Sequence, residues 1–123
     1  AGHLMIPTVP FKEAYFLEDA LRVKAEVKDI PLVYVGGLVS RTKIEEVLNA
    51  GFPFVQMGRA LLNTPDFVNR MKTEEDYCCD CGHSNYCIAR MYTLDMACHK
   101  HLKNKLPDSL QREIEQLEKE AKG

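Results

Sequence analysis

The sequence has 123 residues, of which 46% are hydrophobic and 28% are charged, a composition typical of a globular domain rather than a disordered or fibrous chain. Acidic and basic residues are interspersed and the net charge is -2 at pH 7, so neither nucleic acid nor a membrane surface is predicted as a partner. No apolar stretch approaches the roughly 18 residues of a membrane span, and no signal peptide is recognised. We therefore expect a cytoplasmic protein.

The first predicted elements are a helix and a strand. Apolar residues from Phe16 to Val27 recur at helical spacing and predict an amphipathic helix, which ends near Asp29 because Pro31 cannot continue it. The run PLVYV, at positions 31–35, has no polar alternation. It therefore predicts a parallel strand that is buried on both faces.

A second helix and strand follow. The segment SRTKIEEVLNAG, at positions 40–51, predicts a helix that begins with a capping box from Thr42 to Glu45 and ends at Gly51. The segment FPFVQM, at positions 52–57, predicts the next strand. This order indicates an α/β fold with a parallel sheet. The predicted buried stripe of the helix consists of Ile44, Val47 and Leu48.

Two parallel strands alone leave exposed edges and an uncovered face. We therefore expect a piece of a larger sheet or barrel, or a homo-oligomer that completes the sheet through its exposed edges.

Beyond the second strand, Thr64 is predicted to cap a helix that begins at Pro65. The C-terminal tail predicts an amphipathic docking helix, whose apolar face carries Leu110, Ile114 and Leu117.

Glycine turns follow both predicted strands, at the end of the sheet where α/β proteins bind ligands. The first is Gly36-Gly37 and the second is Gly58-Arg59. Glycine lets backbone N–H groups approach an anion, the following helix adds its positive end, and arginine matches phosphate oxygens. Either turn could instead be a simple tight turn, with Arg59 paired to an acid. The predicted phosphate-binding residues are Gly36, Gly37, Leu38, Gly58 and Arg59.

The segment IPLVYVGGLVSRTKIEEVLNAGFPFVQMGRALLNTPDFVNRM, at positions 30–71, closely resembles the C-terminal end of the old yellow enzyme family of FMN-dependent NAD(P)H:flavin oxidoreductases, including the 2,4-dienoyl-CoA reductase type. The segment PFKEAYF, at positions 10–16, resembles the family's approach to its sixth helix. In that family, glycine turns after strands seven and eight hold the FMN phosphate. The resemblance assigns that role to the five residues named above.

The resemblance implies a fold: strands seven and eight, with their helices, of a (β/α)8 TIM barrel. The expected divisions are barrel units at residues 1–71, a cysteine-rich segment at 72–105 and an amphipathic helix at 106–123. The implied full-length enzyme is an ene-reductase that uses FMN, NAD(P)H and a small-molecule acceptor. The family's catalytic residues lie on parts absent from this chain, so no catalytic residue is assigned and the fragment alone is expected to be inactive.

Five cysteines cluster within positions 78–98, which indicates metal binding or redox chemistry. The dienoyl-CoA reductase relatives carry a [4Fe-4S] cluster in this region, although the spacing here is wider. Zinc with His83 or His99, and reduced thiols with a packing role, remain alternatives. His99 is also expected to belong to a solvated basic patch. The candidate metal ligands are Cys78, Cys81, Cys87 and Cys98.

Two other functions are compatible with the residues. The first is a non-catalytic phosphate- or metal-binding module that assembles through its exposed sheet edges. The second is another phosphate-binding barrel that shares the glycine turns and recognises a phosphosugar instead of FMN.

Overall fold

The computed structural model describes residues 8–123, which form two compact units. Residues Lys12–Asp80 form the first, here called the α/β unit. Residues Cys81–Gly123, with residues 8–11, form the second, here called the cysteine-rich unit. The boundaries expected after residues 71 and 105 stay predictions.

The α/β unit contains the expected alternation of helices and strands. Its two strands pair in parallel, with Val33 opposite Phe54 and Val35 opposite Gln56. This pairing confirms the parallel strand pair predicted from the sequence. The elements of the unit are α1 (Leu17–Glu26), β1 (Val33–Val35), α2 (Arg41–Asn49), β2 (Phe54–Gln56), α3 (Arg59–Asn63) and α4 (Phe67–Thr73).

The cysteine-rich unit is made of short helices and one long one. The long helix confirms the amphipathic helix predicted for the tail, and it buries Ile114 and Ala121. Phe11 donates its backbone N–H to the carbonyl of Ala121 at 2.9 Å, which fixes residues 8–11 against this helix. The elements are α5 (Tyr86–Ala89), α6 (His99–Leu102), a 3₁₀ turn (Lys103–Lys105) and α7 (Asp108–Lys122).

Within residues 8–123, side chains cover one face of the two-stranded sheet and leave the other exposed. Tyr34 is 1% exposed, whereas Val33 is 53% and Phe54 65% exposed. The prediction of a strand buried on both faces is therefore wrong for this chain, because alternate side chains point to opposite faces and α2 covers only one. On the covered face the Tyr34 ring packs edge-on against Phe52, with ring centroids 5.7 Å apart. The most buried side chains of this unit are Tyr34, Val47, Phe52 and Phe67.

Helix α2 begins two residues earlier than the predicted capping box implies. Ser40 is the N-cap: its backbone is extended and its hydroxyl accepts a hydrogen bond from the Lys43 N–H at 3.2 Å. The box at Thr42 is wrong because Thr42 is already helical. Leu48, expected in the buried stripe, is 40% exposed. Gly51 has a φ of +99° just beyond the helix, which confirms the predicted C-terminal glycine.

Helices α1 and α4 also differ from expectation. Helix α1 forms within the predicted range but buries no residue, so its apolar side stays exposed. Helix α4 begins at Phe67 rather than Pro65, and no side chain caps it. The Thr64 hydroxyl donates to the Asn63 side-chain carbonyl at 2.8 Å instead of capping the helix.

No helix within residues 8–123 is long and apolar enough to cross a membrane.

Substitutions at two phenylalanines test which parts of the fold contribute most to its free energy of unfolding. Phe67 is 0% exposed, while Phe54 is 65% exposed on the uncovered sheet face. We expect Phe67→Ala to lower the free energy of unfolding by about 3–5 kcal/mol, because it leaves a cavity. Phe54→Ala should change it by less than about 1 kcal/mol. Urea denaturation followed by circular dichroism measures both, and equal effects would contradict this arrangement of the core.

Candidate functional site: the glycine turns at the strand ends

Both glycine turns lie at the same edge of the sheet. The parallel register places Val35 opposite Gln56, so the two strands end together. Gly36 follows the first strand directly, and Gly58 follows the second after one intervening residue. The sheet pairing therefore brings the two predicted phosphate-binding turns together. We call this set of five residues the phosphate edge: Gly36, Gly37, Leu38, Gly58 and Arg59.

The first turn requires glycine for the fold itself. Gly36 has a φ of +145° and Gly37 a φ of +65°, backbone conformations that favour glycine. A Cβ atom on Gly36 would lie 2.9 Å from Cδ2 of Phe16. The Tyr34 hydroxyl donates to the Gly36 carbonyl at 2.9 Å. Burial raises the pKa of Tyr34, so the hydroxyl keeps its proton and its role as donor at neutral pH.

The second turn has room for a side chain at its glycine. Gly58 has a φ of -120°, outside the positive range that favours glycine. A Cβ atom on Gly58 would meet nothing within 4 Å. The missing side chain therefore leaves open space at the phosphate edge rather than relieving a clash. Helix α3 begins at the next residue, Arg59, so the short helix expected after Gly58 is present.

The Arg59 guanidinium is hydrogen-bonded to a tyrosine that is distant in sequence. Its Nη2 donates to the hydroxyl of Tyr15 at 3.1 Å. The Tyr15 oxygen accepts this bond, which orients the guanidinium. The oriented guanidinium keeps the planar donor geometry that matches phosphate oxygens.

The Glu13 carboxylate occupies the N-terminus of α2. Its Oε1 accepts hydrogen bonds from the N–H groups of Val39 and Ser40, at 2.9 and 2.8 Å, and from the Ser40 hydroxyl at 2.9 Å. The positive end of α2 was expected to help attract an anionic ligand. That expectation stays a prediction, although the Val39 and Ser40 N–H groups, which directly precede α2, already bind a carboxylate of the protein. The predicted donors of the first turn are the N–H groups of Gly36, Gly37 and Leu38.

Sequence reasoning missed three residues that shape the phosphate edge: Glu13, Tyr15 and Tyr34. Glu13 contacts a loop 26 residues away and Tyr15 contacts Arg59 across 44 residues. The periodicity of a short sequence segment does not predict contacts between residues so far apart in the chain. The Tyr34 ring is buried, and its hydroxyl contacts the first turn. Its position two residues before Gly36, at the end of an apolar strand, is the one signal that placed it near the turn.

The candidate metal ligands divide between the two units. Cys78 lies in the α/β unit, where it forms an isolated antiparallel bridge with Ser40. Cys78 is exposed overall, but partial desolvation of its thiol raises its pKa and the nearby Glu13 carboxylate raises it further, so the thiol form is favoured at neutral pH. The other three candidate ligands, Cys81, Cys87 and Cys98, lie in the cysteine-rich unit.

Both candidate histidine ligands are buried in the cysteine-rich unit. The His83 ring stacks on Phe11 with centroids 3.8 Å apart, and its Nδ1 lies 3.8 Å from Sγ of Cys81. His99 is 5% exposed and its Nε2 lies 3.0 Å from the Asp95 carbonyl. The expectation that His99 belongs to a solvated patch is therefore wrong. Within residues 8–123, no group of three or more histidine, cysteine or acidic side chains is arranged to hold a metal ion.

Comparison with known proteins links the chain to a redox enzyme. Over 92 residues, 75% of its length, the chain is 38% identical to the 4,4'-dithiodibutanoate disulfide reductase of Rhodococcus erythropolis. It spans 23% of that protein's length. No protein-family model matches the chain, and no solved structure matches it. The chain is thus similar to about a quarter of an oxidoreductase.

The two turns should respond differently to the same substitution. Gly36→Ala should lower the free energy of unfolding by about 1–3 kcal/mol, because alanine is strained at this positive φ and its Cβ meets Phe16. Gly58→Ala should change it by less than about 1 kcal/mol, because its Cβ enters open space. Thermal and urea unfolding measure both. A larger loss for Gly58→Ala would show that this glycine serves the fold.

Proposed function

We propose that the longer protein to which this chain belongs is an FMN-dependent NAD(P)H oxidoreductase of the old yellow enzyme type, in which this chain binds the FMN phosphate. The observation that carries the proposal is the phosphate edge: two glycine turns and an oriented Arg59 at the common end of two parallel strands. Similarity to an oxidoreductase over 75% of the chain supports a redox role.

The exposed sheet face supports the barrel part of the proposal. Strands of a (β/α)8 barrel are buried on both faces, by outer helices on one side and by the packed barrel interior on the other. Here α2 covers one face, while Val33, Val35 and Phe54 are exposed on the other. A barrel formed with further strands of the longer protein would cover these side chains. In this proposal β1 and β2 are strands seven and eight, the positions that the sequence resemblance implies.

The residues of this chain fit the phosphate group of FMN. Open space at Gly58 admits the anion, the N–H groups of Gly36, Gly37 and Leu38 supply backbone donors, and Arg59 supplies positive charge. Bound FMN would transfer hydride from NAD(P)H to a small-molecule acceptor. This chain's residues would hold the cofactor by its phosphate and contribute no catalytic residue.

Two classes of acceptor follow from the available observations. The sequence resemblance favours an activated alkene, which is the ene-reductase acceptor. The name of the Rhodococcus protein favours an organic disulfide. Both acceptors take a hydride equivalent and protons from the reduced flavin, so the phosphate edge serves either one. The proposed acceptor is therefore a small molecule that is either an activated alkene or an organic disulfide.

Flavin titration of this chain tests the phosphate role directly. FMN and riboflavin share the ring system but differ by the phosphate, so we expect binding of FMN and much weaker binding of riboflavin. Arg59→Ala should weaken FMN binding by about ten-fold or more, because a charge-assisted hydrogen bond is lost. Flavin fluorescence measures the affinities.

The matched control for that titration is Arg22→Ala. Arg22 lies in the same unit, its side chain is 72% exposed, and it pairs only with neighbouring acids of its own helix among the contacts described. The control should leave FMN affinity unchanged. Equal binding of FMN and riboflavin, or equal losses in the two arginine variants, would refute phosphate anchoring by Arg59.

The uncovered sheet face also favours a second candidate, the self-assembling binding module. In that case the exposed face and edges would pair with other copies of the chain. The sedimentation coefficient of the chain would then rise with concentration, and Phe54→Lys would abolish the rise, whereas Tyr92→Lys, at an 84% exposed side chain elsewhere, would not. Stoichiometric iron or zinc without FMN binding would favour this module. A monomeric chain that binds FMN would exclude it.

A further inference from the structure

Every residue from Glu13 to Phe16 has an atom close to one of the two glycine turns or to the loop that follows the first turn. We infer that this segment is the positioning element of the phosphate edge, with Glu13 and Tyr15 as its positioning residues. The inference rests on the proposed function and deepens it, because it names the side chains that hold the phosphate-binding groups in place.

Glu13 fixes the loop that leaves the first turn. Three donors from Val39 and Ser40 converge on its Oε1 at 2.8–2.9 Å, and the Ser40 hydroxyl also lies 3.1 Å from Oε2. Hydrogen bonds to a carboxylate are stronger than those between neutral groups. The residue just before this loop is Leu38, one of the predicted phosphate donors. Glu13 therefore restrains the phosphate edge from its C-terminal side.

The carbonyls of both glycines in the first turn are bound by the protein. The Gly36 carbonyl accepts from the Tyr34 hydroxyl at 2.9 Å, and the Gly37 carbonyl accepts from the Ala14 N–H at 3.0 Å. In a trans peptide the C=O and the following N–H point in opposite directions. Anchoring these two carbonyls therefore sets the directions of the Gly37 and Leu38 N–H groups, which are the groups that a phosphate would contact.

The backbone of this segment is itself unusual. Ala14 is 6% exposed and has a φ of +53°, a left-handed conformation that costs free energy for a residue other than glycine. Such a conformation persists where surrounding contacts determine it. Here Ala14 donates to Gly37, while Glu13 contacts the loop after the first turn and Tyr15 contacts the second turn.

Tyr15 extends the same segment to the second turn. Its hydroxyl accepts from Nη2 of Arg59 at 3.1 Å. Its ring packs edge-on against Phe16, with centroids 4.5 Å apart, and Phe16 in turn lies against Gly36. Residues 13–16 thus connect the carboxyl ends of two strands that are separated by a whole helix in the sequence. A displacement of this segment would move the donors of both turns.

The test is FMN titration of the full chain with paired substitutions at these residues. Glu13→Ala removes the acceptor, and we expect FMN affinity to fall about ten-fold. Glu13→Gln keeps a side-chain oxygen acceptor, and we expect affinity within about three-fold of the unaltered chain. Tyr15→Phe keeps the ring but removes the hydroxyl that accepts from Arg59, and we expect a loss of about three- to ten-fold.

Matched controls and a second measurement separate positioning from general stability. Glu26→Ala and Tyr92→Phe make the same chemical changes at exposed positions and should leave FMN affinity unchanged. Amide hydrogen exchange without flavin should accelerate at Val39 and Ser40 in Glu13→Ala, with Glu13→Gln restoring the slow rate. Tyr15→Phe should keep the unfolding midpoint of the unaltered chain while it loses affinity.

The outcomes distinguish this inference from the proposed function. If the unaltered chain binds FMN and Arg59→Ala weakens it, but Glu13→Ala and Tyr15→Phe bind as well as the unaltered chain, the positioning role is overturned and phosphate binding stands. If Glu13→Ala loses only stability, its folded fraction binding FMN normally, the segment serves the fold alone. If the unaltered chain does not bind FMN, both proposals are overturned.

Discussion

The parallel pairing of β1 with β2 is the constraint on which the candidate site depends. Parallel strands end at the same edge of a sheet, so the turns that follow them become neighbours although 20 residues of sequence separate Gly37 from Gly58. Each turn alone has an ordinary structural explanation. Together they place backbone donors, open space and Arg59 at one edge, which is a chemical combination suited to an anion.

The same pairing leaves the sheet incomplete within the described residues. A two-stranded sheet with one covered face exposes apolar side chains such as Val33 and Phe54, which water solvates poorly. Helix α1 adds to this exposure because none of its residues is buried. These surfaces are what a strand-helix segment of a larger barrel would present if its neighbours were removed. The matched oxidoreductase is longer, and the match covers only 23% of its length, which accords with this interpretation.

Local patterns predicted the succession of helices and strands and the glycine at the end of α2, because periodicity and turn chemistry act over a few residues. They could not choose between two nearby hydroxyl residues as the cap, and Ser40 rather than Thr42 fills that position. They predicted the five residues of the phosphate edge from the strand ends. They could not predict Glu13 or Tyr15, since these contacts cross 26 and 44 residues. The burial of His99 depends likewise on packing against distant neighbours.

The central claim is that FMN binds through its phosphate at the edge formed by the two glycine turns. Two-dimensional ¹H–¹⁵N NMR of the labelled chain, recorded with FMN and with riboflavin, tests it most directly. We expect FMN to shift the backbone amide signals of Gly37, Leu38 and Gly58 and the side-chain Nε signal of Arg59, and riboflavin to leave them in place. Shifts confined to the cysteine-rich unit, or identical shifts with both flavins, would contradict the account.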